Sequence, residues 1–493
     1  MRHAMTPHSD ACALPQGLCS RRHFLGAGAF GLGSTALAWM LQQEGLLAEP
    51  ARPELEQRTY DLKPKPGHHP ARARAMISIL MIGGPSHMDL FDPKPMLKKW
   101  EGKPFPGELR FDNAGQASSK VLPGLWEFKR HGQCGTELSS LLPHLGKVVD
   151  DICVIRSMQT GVNNHGQSLY ALTNGRITAG APTLGSWLTY GLGNASQELP
   201  AFITLTHPNG LPLLADHNWS NGWLPSLYQG TVMRPIEPRI LNLDPPVHLR
   251  GTPQQHQLEL LRELNQEHQK RHPGELDLDA RIASYELAAR MQTAAREAMD
   301  IQSESSATRK LYGIEEERTR DYGTRCLIAR RLVERGVRFV QIINNGQSWD
   351  QHSGLYTALP DLCSRSDQPT AALIQDLKGR GLLDSTLVHW GGEMGRLPVI
   401  QNDGPKDKVG RDHNTYGFTM WLAGGGIRGG MTFGETDEWG HKAVKDVVTH
   451  HDYHATLLHL FGLDPAKLLY RRGGRELSLI DGKPSRIVRE IIA

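Results

Sequence analysis

Cysteine is scarce in this chain, which has six cysteines among 493 residues. Two of them lie near the N-terminus, and the spacings of the other four match no zinc motif built from thiolates. A cysteine-based structural zinc site is therefore excluded. The four later cysteines are compatible with one or two disulfides in an exported protein, and equally with buried free thiols; they are Cys134, Cys153, Cys326 and Cys363.

The chain also lacks an excess of charge of either sign. Lys and Arg number 55 against 52 Asp and Glu, which gives a net charge of +3. This balance gives no reason to expect nucleic acid or an acidic membrane surface as a partner. Beyond the N-terminal region, no segment approaches the roughly 20 consecutive apolar residues that cross a bilayer, so we expect no transmembrane helix in the mature chain.

The N-terminus has the pattern of an export signal. The pair Arg21-Arg22 is followed closely by Phe24 and Leu25, and then by an uncharged stretch rich in Gly and Ala over 26–41. This pattern is typical of a twin-arginine signal peptide, here assigned to residues 1–48. It predicts the twin-arginine translocase as a partner and a periplasmic or extracellular location. Residues 49–75, rich in Pro, Lys, Arg and His, are interpreted as a linker or an arm.

The remainder, 76–493, alternates continuous apolar runs with helical patterns. Runs typical of strands buried on both faces are 77–82, 152–155, 337–343, 386–390 and 418–423. Helices are predicted at 138–149, 322–335, 369–380 and 453–461, and a charged helical insertion at about 254–320, extending towards 335. The alternation predicts an α/β domain with a doubly wound, mainly parallel sheet and helices on both faces.

Three short polar segments at the predicted strand ends favour a metal site. They are 349–352 (Trp-Asp-Gln-His), 391–396 (Gly-Gly-Glu-Met-Gly-Arg) and 410–414 (Gly-Arg-Asp-His-Asn). Ligands in an α/β sheet gather in the crevice at the carboxyl ends of the strands. A mixed set of imidazoles and carboxylates suits zinc or manganese better than calcium, and we expect one or two divalent ions. The candidate ligands are His87, Asp89, Asp350, His352, Glu393 and His413. His165, which follows the strand at 152–155 through an Asn-rich turn, is a further candidate.

The order of these elements resembles the alkaline phosphatase and arylsulfatase superfamily. The segment 386–395 resembles its strand that ends in an acidic ligand, with Glu393 in the acidic place, and Arg411-Asp412-His413 resembles its late metal-binding histidine. More specifically, four segments in order are similar to an exported bacterial family known as domain of unknown function 1501: 329–340, 349–352, 390–393 and 410–413. The resemblance covers essentially the whole chain and implies the alkaline phosphatase-like fold.

The chain departs from the enzymes of that superfamily at three positions. Gly84 stands where the first strand would end in a metal-binding Asp, and Met394 stands where a second ligand would follow Glu393. His165 stands where the modified Cys or Ser nucleophile would be, and no Cys-x-Pro-x-Arg or Ser-x-Pro-x-Arg segment occurs, so formylglycine chemistry is excluded.

These departures leave two functional hypotheses. In the first, the protein hydrolyses a small-molecule or polysaccharide sulfate or phosphate ester by attack of a metal-activated water. Arg396 or Arg411 would then stabilise negative charge, His165 or Asp412 would move protons, and Ser168 is a further candidate nucleophile. In the second, the protein binds a metal without catalysis and serves in carbohydrate binding or surface assembly. The aromatic residues available for sugar stacking are Trp219, Trp223 and Tyr228.

Overall fold

The structure is a computed structural model, and it describes residues 39–41, 60–112, 118–234, 236–241, 243–272 and 276–493. Apart from 39–41, the twin-arginine signal predicted at 1–48 lies outside the described residues. The chain divides into two compact units, Met1–Arg58 and Thr59–Ala493, and the description below concerns the second. The domain boundaries drawn from the sequence stay predictions.

A nine-stranded sheet forms the centre of this unit. Its strands are β1 (Ala75–Leu80), β4 (Ile152–Gln159), β5 (Phe202–Leu205), β6 (Thr231–Met233), β7 (Phe339–Ile343), β8 (Thr386–Gly391), β11 (Phe418–Ala423), β12 (Met431–Phe433) and β15 (Val448–Thr449). Eight of them follow the order β12-β4-β11-β8-β1-β7-β5-β6, and β15 also pairs with β4. Four two-stranded ribbons complete the strands: β2 (Phe128–His131) with β3 (Thr136–Ser139), β9 (Gly395–Arg396) with β10 (His413–Asn414), β13 (Glu435–Thr436) with β14 (Ala443–Lys445), and β16 (Tyr470–Arg472) with β17 (Arg475–Leu477).

The sheet is parallel except at one strand. β1 pairs in parallel with both β7 and β8, whereas β11 runs antiparallel to both β8 and β4. The start of β11 therefore lies at the edge where β1, β7 and β8 end. This orientation explains why ligands that precede β11 in sequence can join ligands that follow the other strands.

Helices cover both faces of the sheet. They are α1 (His87–Leu90), α2 (Pro95–Lys99), α3 (His165–Asn174), α4 (Leu184–Leu192), α5 (Thr252–Arg271), α6 (Leu276–Met299), α7 (Ser306–Leu311), α8 (Glu317–Glu334), α9 (Leu355–Gly379) and α10 (His450–Leu460). Alternate residues of β1 enter two separate cores: Ile77 and Ile79 pack with α8 and α9, and Met76 and Leu80 pack with α4 and α10. The predicted class, a doubly wound α/β domain with helices on both faces, is confirmed.

Two helix predictions differ from the structure. The predicted helix at 138–149 is wrong, because β3 extends to Ser139 and two short 3-10 turns, Leu145–Lys147 and Val149–Asp151, replace the rest. Pro143 lacks an amide proton and Gly146 lowers helix propensity, so no continuous helix forms there. Conversely, the helix predicted to begin at 369 begins at Leu355. It continues through two internal prolines, Pro360 and Pro369, because its apolar side is buried against α8.

The structure also shows the state of the cysteines and the burial of the aromatic residues of the long loop after β5. All four described cysteines are free, with Cys134 exposed and the other three buried. Among the described residues, no helix combines the length and the apolar character that crossing a membrane requires. Trp219 and Tyr228 are buried and Trp223 is partly buried against the same core, so the three rings are packing anchors rather than an exposed sugar-stacking surface. They fill the core between α4 and the long loop after β5 because their apolar area is better buried there.

One buried carboxyl predicts a pH dependence of stability. Burial raises the pKa of Asp367 from 3.8 to about 6, and its oxygens accept hydrogen bonds from the amides of His144 (2.7 Å) and Leu145 (2.9 Å). The folded carboxyl keeps its proton up to about pH 6, whereas the unfolded one loses it near 3.8. We therefore expect the free energy of unfolding to fall by about 3 kcal/mol as pH rises from about 4 to about 6, and this contribution to stay constant above that range.

Urea unfolding of wild type and Asp367→Asn at about pH 4 and about pH 7 isolates this contribution, since both proteins share every other titrating group. In Asp367→Asn, the free energy of unfolding should fall less between these two pH values than it does in wild type, because the titrating carboxyl is absent. Asp384→Asn, at an exposed carboxylate, serves as the control and should behave as wild type. The same decline in the Asp367 variant and in wild type would contradict the prediction.

Candidate metal centre

Four of the side chains singled out in the sequence converge at the ligand edge of the sheet. His165 is the first residue of α3, Asp350 and His352 lie in the loop after β7, and His413 lies in β10. One ligand atom from each lies within 4.8 Å of the ligand atoms of the other three. Among the described residues, this is the one group of at least three His, Cys, Asp or Glu side chains close enough to hold an ion.

The Nδ1 atom of each histidine faces an oxygen acceptor. His165 Nδ1 lies 2.6 Å from Glu393 Oε1, His413 Nδ1 lies 3.2 Å from the carbonyl of Asn163, and His352 Nδ1 contacts Gln401 Oε1. An acceptor at Nδ1 places the ring proton there and leaves the Nε2 lone pair free. Histidines that bind metals are oriented in this way by carboxylates, carbonyls or other acceptors.

The three Nε2 atoms meet around the carboxylate of Asp350. His352 Nε2 lies 3.0 Å and His413 Nε2 lies 3.5 Å from Asp350 Oδ1, and His165 Nε2 lies 3.3 Å from Asp350 Oδ2. The Nε2 atoms of His352 and His413 are 2.9 Å apart. Two lone pairs at this distance repel each other unless a proton or a cation lies between them. Ligand atoms about 2.1 Å from a tetrahedral ion lie about 3.4 Å apart, which is close to the spacings observed.

One buried atom in the cluster makes no well-aligned hydrogen bond within the described part of the chain. It is His165 Nε2, whose polar neighbour is Asp350 Oδ2 at 3.3 Å. Such an atom is costly to bury unless a ligand satisfies it. The donor set of three imidazole nitrogens and one carboxylate oxygen therefore fits a divalent transition-metal ion.

The electrostatics of the cluster favour a cation. Burial alone would lower the pKa of His165, but the carboxylates of Asp350 and Glu393 outweigh it and raise the pKa to about 9. Burial would raise the pKa of Asp350, but the three histidines and Arg396 hold it well below its usual range. Without an ion, the cluster thus holds a proton at neutral pH, and an ion would have to displace that proton.

The other two histidines shift in opposite directions. Burial opposes the charged form of His352, but contact with Asp350 prevails and raises its pKa. For His413, burial prevails and lowers the pKa. His352 is the most exposed of the four, with 29% of its side chain accessible, whereas the side chain of His413 is 3% accessible. Solvent and small molecules therefore reach the cluster from the side of His352.

Glu393 lies behind the cluster and not within the group of four. It is completely buried, and its two oxygens accept the amide proton of Gly83 at 2.9 and 3.2 Å. Its Oε1 also accepts from His165. Gly83 has φ +113, a conformation that favours glycine, and this turn directs its amide at the carboxylate. Glu393, predicted as a ligand, is thus placed to orient His165.

The two predicted catalytic arginines are buried and engaged. Arg396 donates to Asp350 Oδ1 (2.6 Å), to the carbonyl of Gly84 (2.9 Å) and to other backbone carbonyls. Arg411 donates to Asp89 Oδ2 at 2.8 Å and to three carbonyls. Arg396 therefore neutralises and fixes Asp350, whereas Arg411 and Asp89 form an ion pair in which both side chains are 0% exposed.

The remaining predicted residues lie around the cluster. Asp89, a predicted ligand, also accepts from Ser86 and lies outside the group of four. His87, another predicted ligand, lies 2.7 Å from the carbonyl of Gly440, also outside it. The buried hydroxyl of Ser168 donates to the carbonyl of Val162. Asp412 is buried beside His352, with 3.7 Å between its Oδ1 and His352 Nδ1.

The structure accounts for the glycine found where a first-strand ligand would stand. Gly84 has φ +77, and a Cβ there would lie 2.8 Å from both the side chain and the carbonyl oxygen of Met394. A larger residue would push the two strand ends apart. The turn after β1 therefore contributes backbone groups to the site through Gly83 and Gly84, and the ligands come from α3, β10 and the loop after β7.

Sequence reasoning missed two supporting residues, Gln401 and Asn163. Gln401 lies in an irregular loop with no apolar periodicity, and Asn163 acts through its backbone carbonyl, which residue type does not reveal. The Asn-rich turn at 163–164 was the one available signal. The side chain of Asn164 caps α3 by accepting from the amide of Gln167, which fixes the start of the helix and with it His165.

The arrangement predicts that Glu393 tunes metal affinity. In Glu393→Gln, the charge that favours the oriented His165 imidazole is lost, and we expect metal affinity to fall about 10- to 100-fold. The measurement is a competition titration with a chromophoric zinc chelator. Glu438→Gln, at an exposed carboxylate, is the matched control. Equal affinities in wild type and Glu393→Gln would contradict the orienting role.

Comparison with solved structures gave matches of low identity. A sulfatase from Pseudoalteromonas sp., PsFucS1, aligns with a TM-score of 0.36 and 13% identity over 80% of this chain and 68% of its own. The lipoteichoic acid synthase LtaP from Listeria monocytogenes aligns with a TM-score of 0.34 and 8% identity over 85% and 78%. The phosphonate monoester hydrolase SpPMH from Silicibacter pomeroyi gives 0.30 and 11%, over 71% of both chains. Similarities at this level carry no conclusion about activity.

Sequence comparison is more specific. A search among curated proteins gave no significant match. A family model described as a protein of unknown function, DUF1501, matches residues 73–492, which is most of the chain and includes every residue of the cluster. The chain therefore belongs to the DUF1501 family.

Proposed function

We propose that this protein is an exported metal-dependent hydrolase of sulfate or phosphate esters, active in the periplasm or outside the cell. The observation that carries the proposal is the convergence of three histidine Nε2 atoms and the Asp350 carboxylate at the ligand edge of the sheet. One of the four, His413, lies in the segment that resembles the late metal-binding histidine of the alkaline phosphatase and arylsulfatase superfamily. Zinc or manganese fits the donor set, with one ion at the group of four.

A bound divalent ion would supply Lewis acidity and lower the pKa of a water molecule to about 7, so no nucleophilic side chain is required. The protein's own residues hold and orient the ligands. Glu393 fixes His165, Gln401 fixes His352, and Arg396 fixes Asp350 through a contact of 2.6 Å. The accessible side of His352 is the direction from which an anionic ester, either a small molecule or a group on a polysaccharide, would approach.

The test combines metal analysis with activity. Protein purified without chelator is analysed by mass spectrometry for metals, and a panel of aryl sulfates, phosphate monoesters and phosphate diesters is then assayed. We expect stoichiometric metal in wild type, none in the variant His352→Ala/His413→Ala, and hydrolysis of one ester class that the double variant loses. Hydrolysis that persists in the metal-free double variant would refute the proposed mechanism.

A second candidate is a metal-binding protein without catalytic activity. Two observations favour it. The buried guanidinium groups of Arg396 and Arg411 donate to protein oxygens, and the hydroxyl of Ser168 is buried and directed at a carbonyl. Stoichiometric metal combined with no turnover of any ester in the panel would support this alternative, in which the ion stabilises the ligand edge of the sheet.

A further inference from the structure

The hairpin of α5 and α6 has one buried side and one open side. α6 buries Leu287 and Met291 in the core of the domain. α5 lies alongside α6, and Gln269 Nε2 donates to Asp279 Oδ1 at 2.7 Å across the pair. These two helices contain none of the four residues of the metal cluster. A surface on the hairpin is thus separate from the metal centre.

α5 contributes no side chain to the core. None of its 20 residues, all of which the structure describes, is buried. Leu258, Leu261 and Leu264 recur every three residues along it, and Leu260 precedes Leu264 by four. These leucines form one apolar stripe, because residues three or four apart lie on the same face of a helix. Helices in water owe most of their stability to the packing of such a face, so the stripe indicates an interaction with a partner.

The open side of the hairpin consists of an apolar groove and a ridge beside it. The groove lies between the two helices and has a volume of about 630 Å³. Its apolar lining is Leu258, Leu261, Ile282, Tyr285 and Ala289. Tyr285 is 68% exposed. The leucine ridge is formed by Leu260 and Leu264 of α5, which are 56% and 57% exposed. Contiguous exposed apolar surface of this kind marks an interaction site.

The area of this surface is close to that of an interface between two proteins. With 20 residues, α5 is roughly 30 Å long. Two helices side by side, at an interaxial distance of about 10 Å, present a face of roughly 30 by 20 Å, or about 600 Å² before the relief of the side chains is counted. Specific interfaces bury about 800 Å² of accessible surface on each partner. Another folded chain is therefore a better match than a small molecule.

The charges of the hairpin permit it to pair with its own copy. α5 carries three basic and three acidic residues and α6 three basic and four acidic ones, so the two helices have a net charge of −1. Near the groove, Glu286 lies 3.8 Å from both Arg262 and Arg290. A surface with a large charge of one sign would repel its copy, and this one is balanced. An anionic membrane attracts helices rich in Lys and Arg, so the balance favours a protein partner over a lipid surface.

We propose that two copies of this chain associate through α5 and α6 about a two-fold axis, with the leucine ridge of each copy in the groove of the other. A two-fold axis repeats every contact, so one surface that has both a ridge and a groove satisfies both partners. A ridge of side chains on one helix then packs into a groove on its neighbours, as packed helices generally do. The dimer carries two metal clusters, and neither helix contributes a residue to them.

The test measures self-association of the full-length protein by sedimentation velocity at roughly 1 to 100 µM, where interfaces of moderate affinity assemble. We expect dimers of wild type. In Leu264→Glu a charge enters the apolar groove of the partner at two places, and we expect the dissociation constant to rise at least roughly 100-fold. Leu211→Glu is the matched control and should associate as wild type does, because Leu211 is 60% exposed and belongs to neither helix.

A mixing experiment distinguishes this arrangement from unspecific apolar association. Leu264→Glu alters the ridge and Tyr285→Lys alters the groove, so a dimer of either variant alone has both contacts damaged. In a mixed dimer, an unaltered ridge meets an unaltered groove, and the other contact sets a glutamate against a lysine. We therefore expect the mixture to associate at least roughly 10-fold more tightly than either variant alone.

Circular dichroism verifies the fold of each variant, and Tyr285→Lys decides the question if Leu264→Glu fails to fold. Binding to vesicles that contain anionic phospholipid is measured in parallel. The proposal would be overturned by wild type that stays monomeric over the whole range, by unchanged association in the folded variants, or by monomeric protein that binds vesicles and loses this binding in Leu264→Glu. A mixture no tighter than its components would overturn the packing of ridge into groove.

Discussion

We expect the Asp350→Asn variant to lose its metal. Asp350 contacts all three histidine Nε2 atoms of the cluster at 3.0–3.5 Å and supplies its carboxylate ligand. Losing a residue that only orients a ligand costs about 10- to 100-fold in metal affinity, so losing a ligand should cost more than about 100-fold. The amide of asparagine is neutral and leaves the cluster with imidazoles alone.

The measurement is metal content after purification, followed by the chelator competition titration. Asp403→Asn is the matched control, because this carboxylate is 48% exposed and pairs with Lys120 at the surface. Asp350→Asn also removes the partner of buried Arg396, so the variant must be shown to be folded by its circular dichroism. A folded Asp350→Asn protein that retains stoichiometric metal would rule out the cluster as the binding site.

The second large effect concerns the buried pair of Asp89 and Arg411. In Asp89→Asn, the guanidinium of Arg411 remains buried without its carboxylate, and we expect the free energy of unfolding to fall by about 3–5 kcal/mol. Metal content per folded molecule should not change, because Asp89 lies outside the group of four. Asp89 would then be a structural partner of Arg411 and not a ligand.

Urea unfolding monitored by tryptophan fluorescence gives the stability, and metal analysis of the folded fraction gives the occupancy. Asp407→Asn removes an exposed carboxylate that is 3.8 Å from Lys408, and a surface pair of this kind contributes less than about 1 kcal/mol. Loss of metal without loss of stability in Asp89→Asn would reverse the assignment and make Asp89 a ligand.

The central strands β1, β7, β8 and β11 could be predicted from sequence because they are buried on both faces and are therefore almost continuously apolar. The short strands β6, β12 and β15 were not predicted, because they are partly exposed and have no long apolar run. β11 begins and ends where its apolar run does, and β8 differs by one residue. The antiparallel direction of β11 could not be predicted, because a run of apolar residues does not indicate in which direction the strand crosses the sheet. The false helix at 138–149 arose where apolar spacing fits a helix but proline and glycine interrupt the hydrogen bonds.

The sequence was sufficient to predict at which edge of the sheet the residues of the candidate site lie. Residues at strand ends must lie at that edge, which is why Asp350, His352 and His413 meet. The sequence does not show how deeply each polar side chain is buried or which side chain becomes its partner. Glu393 lies behind His165, and Asp89 pairs with a residue 322 positions away, because long-range packing decides which polar groups become neighbours.

The antiparallel course of β11 keeps one continuous segment of the chain beside the cluster. A parallel successor to β8 would have required the chain to cross to the opposite edge of the sheet and return. Instead, the segment 392–417 stays at the ligand edge throughout and carries Glu393, Arg396, Gln401 and His413. Most of the residues that orient the ligands of the cluster thus belong to one continuous segment of the chain. Substitutions within this segment can therefore alter the surroundings of the ligands while the order of the strands in the sheet stays the same.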